Sequence, residues 1–333
     1  MPGASPYERD PKFDDSLRPG SFGEFIGQKK TVHNLQVAIK AARKRKEALD
    51  HVLFSGLPGL GKTTLARLIA FEMKAQLHTT MGPILKRPGD LVGTLTKMEE
   101  GDVLFIDECH RMVADVEEFL YSAMEDFTIS ISMERGLQGR TINLPLKKFT
   151  LVGATTREGL LSEPFRARFG ILEKLAWYPM EDLVRILQRS ARILQIEIDD
   201  ESAALLAQRA RGTPRVANRY LRRVRDLAQV KSAQKITRVI ALEALAMLGV
   251  DEAGLEEMDR RILRTLLANS GPVGLKTLAV SVGEEEGTIE EVYEPYLIQN
   301  NFLVRTSRGR KATEKAARHV GTEPTTDLQQ RLF

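Results

Sequence analysis

Residues 56–63 read Gly56-Leu57-Pro58-Gly59-Leu60-Gly61-Lys62-Thr63, a G-x-x-x-x-G-K-[ST] spacing. Glycines at such positions let backbone N–H groups curl around phosphate oxygens where a Cβ would clash. Lys62 would reach the outer phosphates, and the Thr63 hydroxyl would hold Mg²⁺. Gly59, Leu60, Gly61, Lys62, Thr63 and Thr64 are therefore the expected binding residues for a nucleoside triphosphate. Downstream, the apolar run Val103-Leu104-Phe105-Ile106 ends in Asp107-Glu108. Asp107 would hold Mg²⁺ through its water shell, and Glu108 would polarise an attacking water as general base. Thr155 and Thr156, in Gly153-Ala154-Thr155-Thr156-Arg157, could touch the γ-phosphate or the lytic water; a threonine there could equally cap the next helix.

Two arginine segments are further candidates. Arg166 and Arg168 would be ordinary solvated charges in a monomer, but in a ring they would project into a neighbour's site as an arginine finger. Arg215 follows Gly212-Thr213-Pro214 at a break between helices, where it could contact nucleotide and couple its state to domain closure. Cys109-His110 invites a metal or nucleophile reading. No second cysteine exists and the remaining histidines lack ligand spacing, so a structural role is favoured.

These residues need a parallel sheet to bring them together. Apolar runs at His51–Ser55, Asp102–Asp107, Thr150–Ala154 and Ile171–Leu175 alternate with helical patterns, predicting an α/β domain over 17–178 with helices on both faces of the sheet. Alternation between Phe127 and Phe149 predicts an inserted β-hairpin. Residues 179–251 are helical in period throughout, predicting a small all-α domain. After the acidic segment Asp251–Glu257, read as a linker, 252–333 gives three helices and a strand pair about Ser307-Arg308-Gly309-Arg310. That is a winged-helix pattern. Its candidate recognition helix carries Glu284, Glu285, Glu286, Glu290, Glu291 and Glu294, which phosphates would repel. Arg305, Arg308, Arg310 and Lys311 on the wing, with Gly309 at a flexible tip, instead suit contacts to phosphate without sequence preference.

The 333 residues, 42% hydrophobic and 28% charged, fit a soluble protein of two or three domains. No apolar run approaches the roughly 20 residues of a membrane span. Residues 1–16 are polar and read as a mobile arm without an export signal. A single cysteine excludes an intramolecular disulfide and fits a reducing cytoplasm. The net charge of +4 is only a weak hint of an anionic partner.

A resemblance sharpens this reading. Leu17-Arg18-Pro19 with Phe22-Gly23-Glu24-Phe25-Ile26-Gly27-Gln28 is similar to the base-binding box of AAA+ ATPases. Together with Arg166-Ala167-Arg168-Phe169-Gly170, Arg211-Gly212-Thr213-Pro214-Arg215 and Glu294-Pro295-Tyr296-Leu297-Ile298-Gln299, it resembles the RuvB family from about Leu17 to His319. The resemblance implies an ATP- and Mg²⁺-dependent motor in the bacterial cytoplasm, a ring of six subunits that drives Holliday-junction branch migration in recombination, repair and the SOS response. Its implied partners are double-stranded DNA at four-way junctions, a junction-binding protein similar to RuvA and a resolvase similar to RuvC. It casts Lys62 and Thr63 as the Walker A pair, Asp107 and Glu108 as Walker B, Thr155 or Thr156 as sensor 1, Arg168 as the trans finger and Arg215 as sensor 2. Leu17, Arg18 and Tyr178 would line base and sugar. The hairpin, through Ile129, Ile131, Leu137 and Ile142, would dock the RuvA-like partner. Two residues depart from the family pattern: Leu57 replaces the usual proline, and Cys109 an apolar residue. A clamp-loader-type AAA+ ATPase and a nucleotide-gated DNA-binding switch with little turnover are the competing readings.

Overall fold

The computed structural model describes residues 11–132 and 141–321, and the chain divides into two compact units between Tyr178 and Pro179. The first unit runs α1 (Pro11–Ser16), α2 (Lys29–Arg45), β1 (Val52–Ser55), α3 (Lys62–Met73), β2 (Leu77–Met81), α4 (Gly89–Leu95), β3 (Val103–Asp107) and α5 (Ala114–Glu125). A hairpin of β4 (Thr128–Ser132) and β5 (Thr141–Pro145) follows, then β6 (Thr150–Thr155), α6 (Glu163–Ala167) and β7 (Ile171–Lys174). Five strands form a parallel sheet in the order β2-β3-β6-β1-β7.

The central strands are continuous apolar runs because both sheet faces are covered. Leu53, Leu104, Ile106 and Leu151 share one cluster with Leu91, Leu120 and Phe165. The alternate residues Val52, Phe54, Phe105 and Val152 are equally buried. Strand β2 was not anticipated. It lies at the sheet edge and its residues Leu77-His78-Thr79-Thr80-Met81 are only partly buried, so no apolar run marks it. The expected arm also changes: 11–16 form α1, whose Asp15 pairs with Arg18 and Arg67, while 1–10 lie outside the described residues.

The second unit comprises α7 (Met180–Ile193), β8 (Glu197–Ile198), α8 (Asp200–Arg209), α9 (Pro214–Val230), β9 (Lys235–Ile236) and α10 (Arg238–Met247). It continues with α11 (Glu257–Leu267), α12 (Leu275–Val282), α13 (Glu286–Thr288), α14 (Glu294–Gln299), β10 (Leu303–Thr306), β11 (Gly309–Ala312) and α15 (Glu314–Val320). Asp199 caps α8 by accepting the Ser202 N–H at 2.7 Å, and Pro214 occupies the first turn of α9. The expected long recognition helix is interrupted by a π-turn over Ile289–Tyr293, just before Pro295, which has no N–H for the preceding turn.

The acidic segment read as a linker is an ordered seam. Asp251 accepts the N–H groups of Ala253 and Leu255, and Glu256 and Asp259 form a capping box at the start of α11. Arg211 closes the seam from the α8–α9 side. Its Nη2 lies 2.5 Å from Asp259, its Nε donates to the Gly254 carbonyl at 2.9 Å, and its guanidinium stands over the Tyr296 ring. Tyr220 donates to Glu256 at 3.0 Å and Tyr296 to the Ala253 carbonyl at 2.7 Å. Arg211 is 4% exposed and Asp259 0%. The residue 251/252 boundary thus passes through a buried charge network. Among the described residues no helix is long and apolar enough to cross a membrane.

Candidate nucleotide site and basic wing

The sheet order decides what meets at the phosphate edge. Strand β6 lies between β1 and β3, with Ser55 opposite Thr155 and Ile106 opposite Gly153, so Ser55, Thr155 and Asp107 end together at the C-terminal edge. The loop leaving β1 is tied there by the Gly56 N–H on the Thr155 carbonyl at 3.2 Å. Gly56, Gly59 and Gly61 have φ of 138°, 83° and 104°, values that favour glycine. The loop feeds directly into α3, whose N-terminal N–H groups and dipole attract an anion. The Lys62 ammonium donates to the carbonyls of Gly56 at 2.5 Å and Leu57 at 2.9 Å. Residue 57 serves this contact through its backbone carbonyl, which leucine provides as well as proline.

The carboxylates stand beside this loop. The Thr63 hydroxyl points to Asp107 Oδ2 at 3.5 Å, and Asp107 Oδ1 accepts the Glu108 N–H at 3.0 Å. Glu108 has φ 50°, an uncommon left-handed setting that turns its side chain out of the strand direction, and its carboxylate accepts from Arg111 at 2.9 Å. Gly82 is required opposite it: a Cβ there would lie 2.3 Å from the Glu108 carbonyl oxygen. Sequence reasoning missed Gly82 and Arg111. The i, i+3 acid–base spacing was the only signal for Arg111, and such pairs are common on any surface.

Cys109 and His110 diverge. The Cys109 thiol is 1% exposed in the core, and burial, with Asp107 adding to it, pushes its pKa up. A thiol buried in this way offers oxidants no accessible group beside the site. His110 Nδ1 shares a 3.0 Å hydrogen bond with the Thr155 hydroxyl, which also accepts the Arg157 N–H at 2.9 Å. Thr155 is buried, whereas its neighbour Thr156 is partly exposed.

Among the residues expected to line base and sugar, the Tyr178 hydroxyl donates to the Leu60 carbonyl at 3.2 Å. The ring packs over Gly27, where a Cβ would come within 2.4 Å of it. Gln28 clamps the same segment through the Ala176 carbonyl and N–H. Arg18 reaches the Thr64 hydroxyl at 3.5 Å, and Leu17 beside it is buried. Arg168, at the end of α6, donates to the Pro164 carbonyl at 2.6 Å, pairs with Glu125 at 3.1 Å and lies over the Tyr121 ring. Arg215 lies in the first turn of α9 in the second unit.

The wing differs from expectation. Strands β10 and β11 pair with Arg305 opposite Arg310, leaving Ser307-Arg308 as the turn. Arg310 is no free phosphate ligand: its side chain is 13% exposed and held by Glu294 at 2.6 Å and Glu290 at 2.8 Å. Arg305 Nε also donates to Glu294, at 2.7 Å, although half of that side chain is exposed. Glu290 and Glu294 are therefore neutralised within the protein. Gly309 is not a flexible tip: a Cβ there would lie 2.3 Å from the Val273 carbonyl oxygen, so glycine admits the close pass of β11 over Val273. Arg308 and Lys311 are exposed.

The hairpin expectation is corrected in part. Ile129 is 1% exposed and packs with Phe149 and Leu120 in the domain core, so it offers no docking surface. Ile142, opposite Ile131 in the ladder, is 42% exposed. Leu137 lies outside the described residues.

Comparison with known proteins agrees along the chain. Residues 17–175 match the Holliday junction DNA helicase RuvB P-loop domain, 178–251 the RuvB AAA lid domain and 252–321 the RuvB C-terminal winged helix domain. The Holliday junction branch migration complex subunit RuvB of Salinibacter ruber is 57% identical over 305 residues, covering 91% of this chain and 89% of that protein. The corresponding Kosmotoga olearia subunit is 55% identical over 308 residues, covering 92% and 90%. A solved structure of the Thermotoga maritima RuvB Holliday junction branch migration motor superposes with a TM-score of 0.85 at 49% identity, covering 92% of this chain and 99% of that one. With a glycine loop, paired carboxylates and a winged helix matched in order, the chain belongs to the RuvB family of P-loop ATPases.

Proposed function

We propose that this protein is an ATP-driven motor that moves Holliday junctions during recombination and repair, acting on double-stranded DNA without sequence preference. The observation that carries the reading is the shared edge of Ser55, Thr155 and Asp107, which gathers a phosphate loop and two carboxylates in a chain that also bears a basic wing. Lys62 exchanges its two carbonyl partners for phosphate oxygens, and the α3 N-terminus adds its dipole. Thr63 and Asp107 offer hard oxygen donors 3.5 Å apart that suit Mg²⁺. Bound there, the ion supplies charge neutralisation on the phosphates. Glu108, released from Arg111, takes the proton of the attacking water. Thr156 is the better-placed sensor, because it is partly exposed at the strand end whereas Thr155 is buried.

Arg168 completes the site of a neighbouring copy in a six-membered ring, leaving Glu125 and Pro164 to do so. Arg215 reports nucleotide state from the lid. Leu17, Arg18 and Tyr178 hold the base and sugar. Arg308 and Lys311, with the exposed edge of Arg305, meet phosphates. A RuvA-like junction-binding protein docks on the outer half of the hairpin, around Ile131 and Ile142. The test is ATP-dependent dissociation of a synthetic four-way junction, with and without that partner. Wild type should resolve it and Glu108→Gln should bind but not turn over. Equal dissociation by both would leave only a nucleotide-gated binding switch. Arg168→Ala should abolish DNA-stimulated hydrolysis; full activity in that variant removes the inter-subunit finger.

A further inference from the structure

Strand pairing sets Arg305 directly opposite Arg310 in a wing of only two strands. Like charges directly opposite destabilise an antiparallel pair, and the backbone bridge between Arg310 and Val273 braces β11 without offsetting that repulsion. The wing therefore needs a counter-charge beneath it. Glu294 provides one. Its carboxylate is 0% exposed; Oε2 accepts from Arg305 Nε at 2.7 Å and Oε1 from Arg310 Nε at 2.6 Å. Glu290, one turn earlier, takes the other edge of Arg310 at 2.8 Å. The interrupted helix between α13 and α14 sets both acids toward the wing, while two residues past Glu294 the Tyr296 hydroxyl fastens the same helix to the Ala253 carbonyl.

We propose that Glu294 is a positioning residue for DNA engagement. By bridging Arg305 and Arg310 it holds the wing rigid before DNA arrives, so that Arg308 and Lys311 meet phosphates without an ordering cost at the moment of binding. Arg310 is then part of the scaffold, and the wing's net positive charge resides on the exposed residues. The inference rests on the wing being the DNA-contacting element.

The sign of the Glu294→Gln effect on DNA affinity tests it. A carboxylate that merely repels phosphate predicts tighter binding and a steeper salt dependence when it is neutralised. A positioning carboxylate predicts weaker binding, by about fivefold to tenfold, at every salt concentration, because the lost order is not electrostatic. The slope of log K against log salt stays unchanged, and hydrogen exchange rises in 303–312 alone. Tighter binding, unchanged affinity, or exchange rising across the whole of 257–320 overturns the proposal, the last by reducing Glu294 to a general fold contact. Arg308→Ala with Lys311→Ala separates the two layers of the argument. If that pair loses affinity and about two units of salt slope while Glu294→Gln changes nothing, the positioning role alone fails. If neither variant alters DNA affinity, the wing is not the contact and both readings fall.

Discussion

The phosphate edge of the first unit and the seam and wing of the second are built by opposite means. At the phosphate edge, backbone does the work. Three parallel strand ends, three left-handed glycines and a helix N-terminus create the site, and Lys62, Thr63, Asp107 and Glu108 are set on it by their places in the chain. In the second unit, side-chain charge does the work. Arg211, Glu256 and Asp259 join helices far apart in sequence, and Glu294 with Glu290 fixes a pair of opposed arginines. A site made of backbone tolerates side-chain departures such as Leu57. A scaffold made of charge does not tolerate loss of one partner.

The largest expected effect breaks the first side of this comparison. Glu108→Gln removes the proposed base but leaves loop, helix dipole and Lys62 in place. Hydrolysis should fall by roughly 10²–10⁴-fold, while nucleotide affinity measured by calorimetry stays near wild type. A parallel loss of affinity would mean that Glu108 shapes the loop rather than activates water. Its left-handed backbone makes this worth measuring, since only the side chain changes in the substitution.

The next effect tests the second side. Arg211 is 4% exposed and Asp259 0%, so Arg211→Met strands a buried carboxylate. The cost should be about 3–5 kcal/mol, seen as a lower denaturation midpoint for the second unit. Joint replacement of Arg211 and Asp259 by apolar residues should recover most of it. Failure of the double variant to recover would show that the Arg211 contacts with Gly254 and Tyr296 matter more than the ion pair.

The same contrast explains what could be read from the chain alone. The P-loop and the strand ending in Asp107 were legible because a motif with backbone consequences sits in consecutive residues and buried central strands are continuous apolar runs. Edge strand β2 was not, being half-exposed and polar at Thr79 and Thr80. The segment from Asp251 to Glu257 reads as a linker because acids usually face water; its burial depends on Arg211, distant in sequence and close only after folding. Arg310 misleads for the same reason. Composition gives its charge, while its partner, sixteen residues back, is set by packing. Ile129 and Ile142 share one alternating pattern, but only the depth of the hairpin in the core separates the buried end from the exposed one.

A smaller effect concerns Cys109, which follows Asp107 and Glu108 in the chain yet belongs to the core. Burial holds its thiol protonated, so a thiol-specific reagent should leave the native protein unmodified and react fully once denaturant unfolds it. Rapid labelling of native protein, with loss of ATPase, would place the thiol on the site side of β3 instead.

The smallest effect comes from His51, ahead of β1. Its Nδ1 accepts the Leu151 N–H at 2.8 Å, so its Nε2 carries the proton donated to the Met124 carbonyl at 3.0 Å, and the ring is neutral. Burial lowers its pKa below the ordinary 6.5. The sign follows from linkage: below that value the unfolded chain takes up a proton that the folded ring resists. The stability contribution is therefore full above about pH 6.5 and is lost as pH falls from there toward the lowered folded value. Denaturation curves at pH 7.5 and 5.5 should show the first unit weakening on acidification, and His51→Gln should shrink that difference. If the substitution leaves the pH dependence intact, the carboxylates of the first unit govern it, and the ring serves only as a hydrogen-bonded spacer between β6 and α5.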